Sequence, residues 1–128
     1  MLYKSIKLKI VKIVFTSLIL HSTNLLADNE DVIDYSSVSE TLEKLKKHPS
    51  SKISKQDGWL IVSLIENGNH VHWFFAPKEN AAHPAVVKKT ITVKDGSRET
   101  VILTLCEAPK QTCDDLIKQF KNINETYK

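Results

Sequence analysis

Two histidines in this chain have the spacing of metal ligands on a strand. His70 and His72 are separated by one residue, so on an extended strand both imidazoles would point to the same side. Two such imidazoles can share zinc or copper, and His83 would add a third ligand if the following loop folded back. Because no carboxylate cluster or second His-x-His accompanies them, surface histidines near a hairpin tip are the preferred interpretation, and a metal site is the alternative.

The only two cysteines are Cys106 and Cys113. An even number of cysteines in an exported chain predicts one disulfide, which here would close a short loop. Two free thiols are the alternative. No Cys-x-x-Cys motif is present, and this argues against a thiol oxidoreductase.

The chain lacks the common motifs of nucleophilic and nucleotide-dependent enzymes. It has no Gly-x-Ser-x-Gly elbow, and its three glycines, at 58, 68 and 96, each stand in a predicted turn. No glycine remains for a phosphate-binding loop. Ser63 falls near the histidines, but nothing in the sequence marks it as activated. We therefore predict no enzyme, no catalytic residue and no cofactor. An enzyme with an unrecognised site is the third alternative.

The histidines belong to the strongest structural signal in the chain, residues 59–76. Two strand-like runs flank Asn67-Gly68, which is the preferred pair for a type I′ hairpin turn because both positions need positive φ. A two-residue turn would pair Leu64 with Val71, Val62 with Trp73 and Leu60 with Phe75. These six side chains share one face without any polar group, so that face is predicted to be core.

The opposite face of this hairpin is mixed and more apolar than a solvated sheet face usually is. It is either covered by a loop or by the N-terminal segment, or it is a contact surface for a partner or a second copy. The loop 77–84 would form the rim of such a surface. The predicted binding residues are Trp59, Ile61, His70, His72, Phe74 and His83.

Helices are predicted on either side of the strands. Ser36 or Ser37 caps the first helix, which runs to about Lys47 and is ended by Pro49. Thr112 caps the last helix, which has an apolar stripe. That stripe comprises Leu116, Ile117, Phe120, Ile123 and Tyr127. Residues 48–57 are predicted to be a loop or a short irregular strand.

A second hairpin is predicted from strands at 86–93 and 99–105. Its register is open between a two-residue Asp95-Gly96 turn, which pairs Val93 with Arg98, and a longer loop. The longer loop is preferred because it sets Ile91 opposite Val101 and keeps the apolar residues on one face. The predicted fold is α+β: a four-stranded antiparallel meander sheet with the N-terminal and C-terminal helices packed on one face, in two layers.

The first 27 residues have the pattern of a secretory signal peptide, with lysines, then an apolar core, then Ala27 before an acidic stretch. The apolar core is short for a transmembrane helix, although an uncleaved anchor is the alternative. Residues 28–35 are predicted to be a flexible acidic lead-in, and residues 36–128 a single domain. No stable membrane anchor is expected after cleavage.

Removing this segment reverses the net charge. It holds four of the 18 basic residues and none of the 15 acidic ones, so residues 28–128 carry a net charge of −1. Such a balance gives no basic surface for nucleic acid. The sequence therefore predicts a small periplasmic or secreted binding protein, with a protein partner in the cell envelope or outside the cell. An inhibitor or immunity-type protein is one concrete form, and a periplasmic metal-binding protein is the alternative.

Overall fold

The computed structural model describes residues 33–126. The predicted signal peptide, the first residues of the lead-in and Tyr127 lie outside this range. The elements are α1 (Val38–Lys46), β1 (Lys52–Gln56), β2 (Trp59–Glu66), β3 (Asn69–Phe75), β4 (Ala85–Lys94), β5 (Ser97–Cys106) and α2 (Lys110–Thr126). The predicted α+β class and antiparallel meander are confirmed, but the sheet has five strands, in the order β1-β2-β3-β4-β5.

The first helix begins where the sequence predicts. Ser37 is its N-cap, and the side chain of Ser37 accepts a hydrogen bond from the backbone N–H of Glu40 at 3.1 Å. This satisfies one of the free amides of the first turn. The backbone N–H of Val38 donates to Glu107 Oε1 at 3.1 Å, which ties the helix start to the end of the sheet. Val38 and Leu45 are buried against that sheet.

The first hairpin has the predicted register. Leu60 pairs with Phe75, Val62 with Trp73 and Leu64 with Val71. Asn67 and Gly68 both have positive φ, 51° and 78°, as a type I′ turn requires. All six paired side chains belong to one apolar cluster, together with α1.

The additional strand is β1, in the segment predicted to be a loop or an irregular strand. It pairs with β2 through the Asp57-Gly58 turn, where both residues again have positive φ. Its five residues are all exposed. Polar residues on a solvated edge strand carry no apolar alternation, and this explains why the sequence pattern did not establish the strand.

The preferred register of the second hairpin is wrong. Val93 pairs with Arg98 and Ile91 with Thr100, around a two-residue Asp95-Gly96 turn with φ of 52° and 76°. The longer loop was preferred because it gathered the apolar residues on one face. That premise fails, since both faces of this sheet are covered and apolar side chains are accommodated on either one.

The two helices pack on opposite faces, so the prediction of two layers is also wrong. Helix α1 covers the face that carries Val62, Trp73 and Val86. Helix α2 contributes Leu116 and Phe120 to a second cluster on the other face, with Phe74, Val87 and Ile102. We call these the α1 face and the α2 face. The result is a three-layer arrangement, helix-sheet-helix.

Both ends of the described chain differ in detail from expectation. Ile33 is buried and Tyr35 packs against Trp73, with ring centroids 5.9 Å apart, so the end of the predicted lead-in belongs to the core. Helix α2 begins at Lys110, one residue after Pro109, and the expected cap residue Thr112 lies inside it. A disulfide joins Cys106, at the end of β5, to Cys113 in the first turn of α2.

Candidate functional site

The structure separates the six predicted binding residues into three places. Trp59, Ile61 and Phe74 lie together on the α2 face, where they line one groove. His70 and His72 lie on the same face near the tip of the first hairpin. His83 lies in the loop before β4 and borders a cavity on the α1 side.

The groove runs between α2 and the strands β2 and β3, and its volume is about 350 Å³. We call it the aromatic groove. Its lining residues are Gln56, Asp57, Trp59, Ile61, Phe74, Lys89, Gln119, Phe120 and Ile123. The floor is apolar and the rim is polar, which is the anatomy of a site that takes an apolar group and orients it with polar contacts.

Three aromatic rings form the wall of the groove. Phe120 lies between the other two, with its ring centroid 5.7 Å from that of Trp59 and 5.3 Å from that of Phe74. Both pairs are inclined, at 67° and 58°, as aromatic pairs prefer. All three rings are half-buried. The packing therefore fixes their positions and still leaves ring surface open to a ligand.

Ile123 completes the groove on the helix side. It is 54% exposed although it belongs to the apolar stripe of α2. The sequence indicated this stripe but assigned it to the α1 face. The partial cover of the mixed face was expected from a loop or from the N-terminal segment, and it comes from the C-terminal helix. Phe120 and Ile123 are therefore the apolar groove residues that sequence reasoning missed, and Gln56, Asp57, Lys89 and Gln119 are the polar ones.

The two hairpin histidines lie in a different environment. A hydrogen bond of 2.8 Å links His72 Nδ1 to Ser63 Oγ on the neighbouring strand. Burial lowers the pKa of His72 from its ordinary value of 6.5, and the charges of Lys89 and His70 act in the same direction. The neutral imidazole is thus favoured near neutral pH, and this suits both a ligand role and a hydrogen-bonding role.

The third predicted metal ligand does not join this pair. His72 pairs with Lys89 on β4, and His83 stands six residues before Lys89, which places it roughly 20 Å away at the other end of the sheet. In residues 33–126, no group of three or more His, Cys, Asp or Glu side chains is arranged to hold a metal ion.

The loop 77–84 borders a cavity of about 590 Å³ rather than the aromatic groove. This cavity lies between the loop and the start of α1. Its charged and titratable lining groups are Lys55, Lys78, Glu79, His83 and Glu107. Charges of both signs alternate around it, so it presents no single electrostatic preference.

Comparison with protein-family models, with curated proteins and with solved structures finds no match to this chain. Within the described residues, neither helix has the length and hydrophobicity needed to cross a membrane. The function of the chain is therefore inferred from its own geometry.

Proposed function

We propose that this chain is a small exported binding protein that holds an apolar side chain of a partner protein in the aromatic groove. The observation that carries the proposal is the Trp59–Phe120–Phe74 wall, where the ring of Phe120 contacts both other rings and all three keep open surface beside a half-exposed isoleucine. Aromatic side chains in a desolvated pocket are the usual centres of binding energy in protein interfaces.

The size of the groove suits this role. A volume of about 350 Å³ accommodates one or two apolar side chains rather than a large cofactor. Because the rings are held by one another, little side-chain entropy is lost when a ligand binds. The polar rim, with Gln56, Gln119 and Lys89, resembles the hydrogen-bonding border of an interface core. An inhibitor or immunity-type protein acting on an extracytoplasmic partner is a concrete form of this function.

Export is part of the proposal. Residues 1–27 have the charge and hydrophobicity pattern of a signal peptide. A disulfide between Cys106 and Cys113 is compatible with an oxidising compartment. When the full chain is expressed in a bacterial host, the protein should be recovered outside the cytoplasm. Its mass should be that of a chain that begins at Asp28. Recovery of the intact chain in the cytoplasmic fraction would contradict export.

Metal binding by the histidines has less support than binding through the groove. Of the three predicted metal ligands, only His70 and His72 lie together. Three of the predicted binding residues, Trp59, Ile61 and Phe74, line the aromatic groove together. No affinity for zinc or copper near neutral pH is expected.

The groove can be tested with a photo-crosslinking amino acid at position 123, where the native side chain is 54% exposed. The matched control is position 93, which is 66% exposed and lies on β4 outside the groove. Irradiation in the native envelope should give a discrete adduct from position 123 and none from position 93. The adduct should weaken when Ile61→Glu places a charge on the groove floor.

One crosslinking result would contradict the proposal. Equal adducts from both positions would mean non-specific contact and would reject the groove as a site. Near-UV circular dichroism of Ile61→Glu checks that the aromatic core is intact. If that variant is misfolded, Gln119→Glu at the exposed rim provides the second comparison.

A further inference from the structure

Four polar side chains form a straight row across the α2 face, next to the aromatic groove. Lys52 pairs with Ser63, Ser63 with His72, and His72 with Lys89, on the four adjacent strands β1 to β4. Directly paired residues of antiparallel strands point to the same side of a sheet. The row therefore presents a hydrogen-bonded Ser–His pair flanked by a lysine on each side. We call it the cationic row.

Three residues of the row, Lys52, Ser63 and His72, border a cavity whose described lining residues include no carboxylate. Its volume is about 480 Å³, and its polar lining residues are Ser50, Ser51, Lys52, Ser63, His70 and His72. Hydroxyl, ammonium and imidazole groups all donate hydrogen bonds to an anion. Because these donors converge and no carboxylate lies among the lining residues, the cavity can donate hydrogen bonds to an anion and has no counter-charge of its own.

The two lysines of the row are free to take a counter-ion. Of the lysines in residues 33–126, Lys44, Lys46, Lys88 and Lys110 form ion pairs, whereas neither Lys52 nor Lys89 lies within salt-bridge distance of a carboxylate in that range. Lys89 itself lines a second cavity with Arg98 and Glu99, and it lines the aromatic groove with Asp57, but it forms an ion pair with neither carboxylate. Helix α2 brings uncharged Gln119 and Asn124 near it. The depressed pKa of His72, caused by burial and then by Lys89 and His70, agrees with a local excess of positive charge.

The cationic row and the aromatic groove are adjacent. Ser63 and His72 each stand two residues along the strand from the groove residues Ile61 and Phe74. Two residues of strand span about 7 Å, which is also the distance between side chains i and i+2 of any extended peptide. Lys89 borders the groove as well as ending the row.

We propose that the cationic row binds a carboxylate of the partner protein, on a residue two positions from the apolar side chain that enters the aromatic groove. This inference rests on the proposed function for the partner being a protein, and it adds the chemistry of the recognised segment: an extended stretch with an apolar anchor and an acidic residue at i+2. The carboxylate is complementary in charge to Lys52 and Lys89, and the hydrogen-bonded Ser63–His72 pair supplies the central donor.

The test uses two probe peptides, acetyl-Gly-Phe-Gly-Glu-Gly-amide and its glutamine analogue, titrated into the exported, disulfide-bonded protein by NMR. At low salt the glutamate peptide should bind about fivefold or more tightly than the glutamine peptide, since one exposed charge contact is worth about 1 kcal/mol. The double variant Lys52→Gln/Lys89→Gln should remove the difference, and the exposed control Lys94→Gln should keep it. The pKa of His72 should rise in the complex.

The outcomes separate this inference from the proposed function. Equal affinity for both peptides would overturn the cationic row and leave the groove standing. Inorganic phosphate tests the row without the groove: a rise in the His72 pKa that the double variant abolishes, together with a preference for the glutamate peptide, supports the inference. If phosphate binds and the glutamate peptide does not bind at any concentration, the row is a site for a free oxyanion. That result would overturn the inference that it binds a carboxylate of a partner protein. No response to either anion would overturn the inference entirely.

Discussion

The ring centroid of Phe120 in α2 lies 5.3 Å from the ring centroid of Phe74 in β3. This contact places the C-terminal helix on the face of the hairpin opposite α1. It also determines what remains of that face. The helix covers Ala85 and Val87 at one end, leaves the aromatic groove at its side, and leaves the cationic row beyond it.

Truncation of Phe120 should destabilise the fold and open the groove. We expect Phe120→Ala to lower the free energy of unfolding by about 2 kcal/mol, less than for a fully buried phenylalanine because the ring is half-buried. Urea unfolding measures this loss. Ile123→Ala, at a mostly exposed position, should cost under about 1 kcal/mol. A similar loss for both variants would mean that α2 does not anchor through Phe120.

The disulfide should stabilise the chain only when it is oxidised. Its two cysteines are seven residues apart, so the chain-entropy relation gives about 2.5 kcal/mol for the closed loop. The Cys106→Ser/Cys113→Ser variant should show this loss in urea unfolding without reductant. With dithiothreitol, variant and parent should unfold alike. A persistent difference under reduction would mean that the sulfurs contribute by packing instead.

The type I′ turns should be sensitive to a methyl group on their glycines. Gly68 and Gly96 have φ of 78° and 76°, and a Cβ at either position would meet no atom within 4 Å. The cost of Gly68→Ala and Gly96→Ala is therefore backbone strain alone, about 1 kcal/mol each. Thermal unfolding of the two variants tests this value. Unchanged stability in Gly96→Ala would argue against the two-residue turn of the second hairpin.

His72 should make the fold less stable in acid. Its pKa is lower in the folded chain than the ordinary 6.5, because of burial and the neighbouring Lys89 and His70. The unfolded chain therefore binds the proton more readily, so the contribution is complete above about pH 6.5 and is lost as the pH falls through the folded pKa. Unfolding free energies between about pH 7 and pH 5 should decline less steeply in His72→Gln. An unchanged slope in His72→Gln would contradict this assignment.

Much of the local structure followed from patterns in the sequence. Asn67-Gly68 requires positive φ at both turn positions, and this requirement together with the alternation of Val62 and Leu64 defined the first hairpin residue by residue. Ser37 provided a cap that only the start of a helix uses. These signals are local because each depends on neighbours within a few residues, or on a single cross-strand pair.

The second hairpin shows how a correct local signal was set aside for an incorrect global premise. Asp95-Gly96 indicated the two-residue turn that the structure contains. The prediction preferred burial of the apolar residues on one face, since it gave burial more weight than the turn preference. With both faces covered, Ile91 and Val101 have no need to lie on the same side.

The sequence by itself determined the α+β class, the first hairpin and the amphipathic character of both helices, since turn geometry and apolar periodicity are written in adjacent residues. Only the tertiary structure decided that α2 packs against Phe74 and Trp59 rather than beside α1. Either face of the sheet offered apolar surface, and an apolar stripe on a helix does not specify which surface it will cover. The groove exists because of that choice, since its residues come from the sheet and from α2 and meet only when the layers assemble. The row lies within the sheet, on β1 to β4, next to that groove.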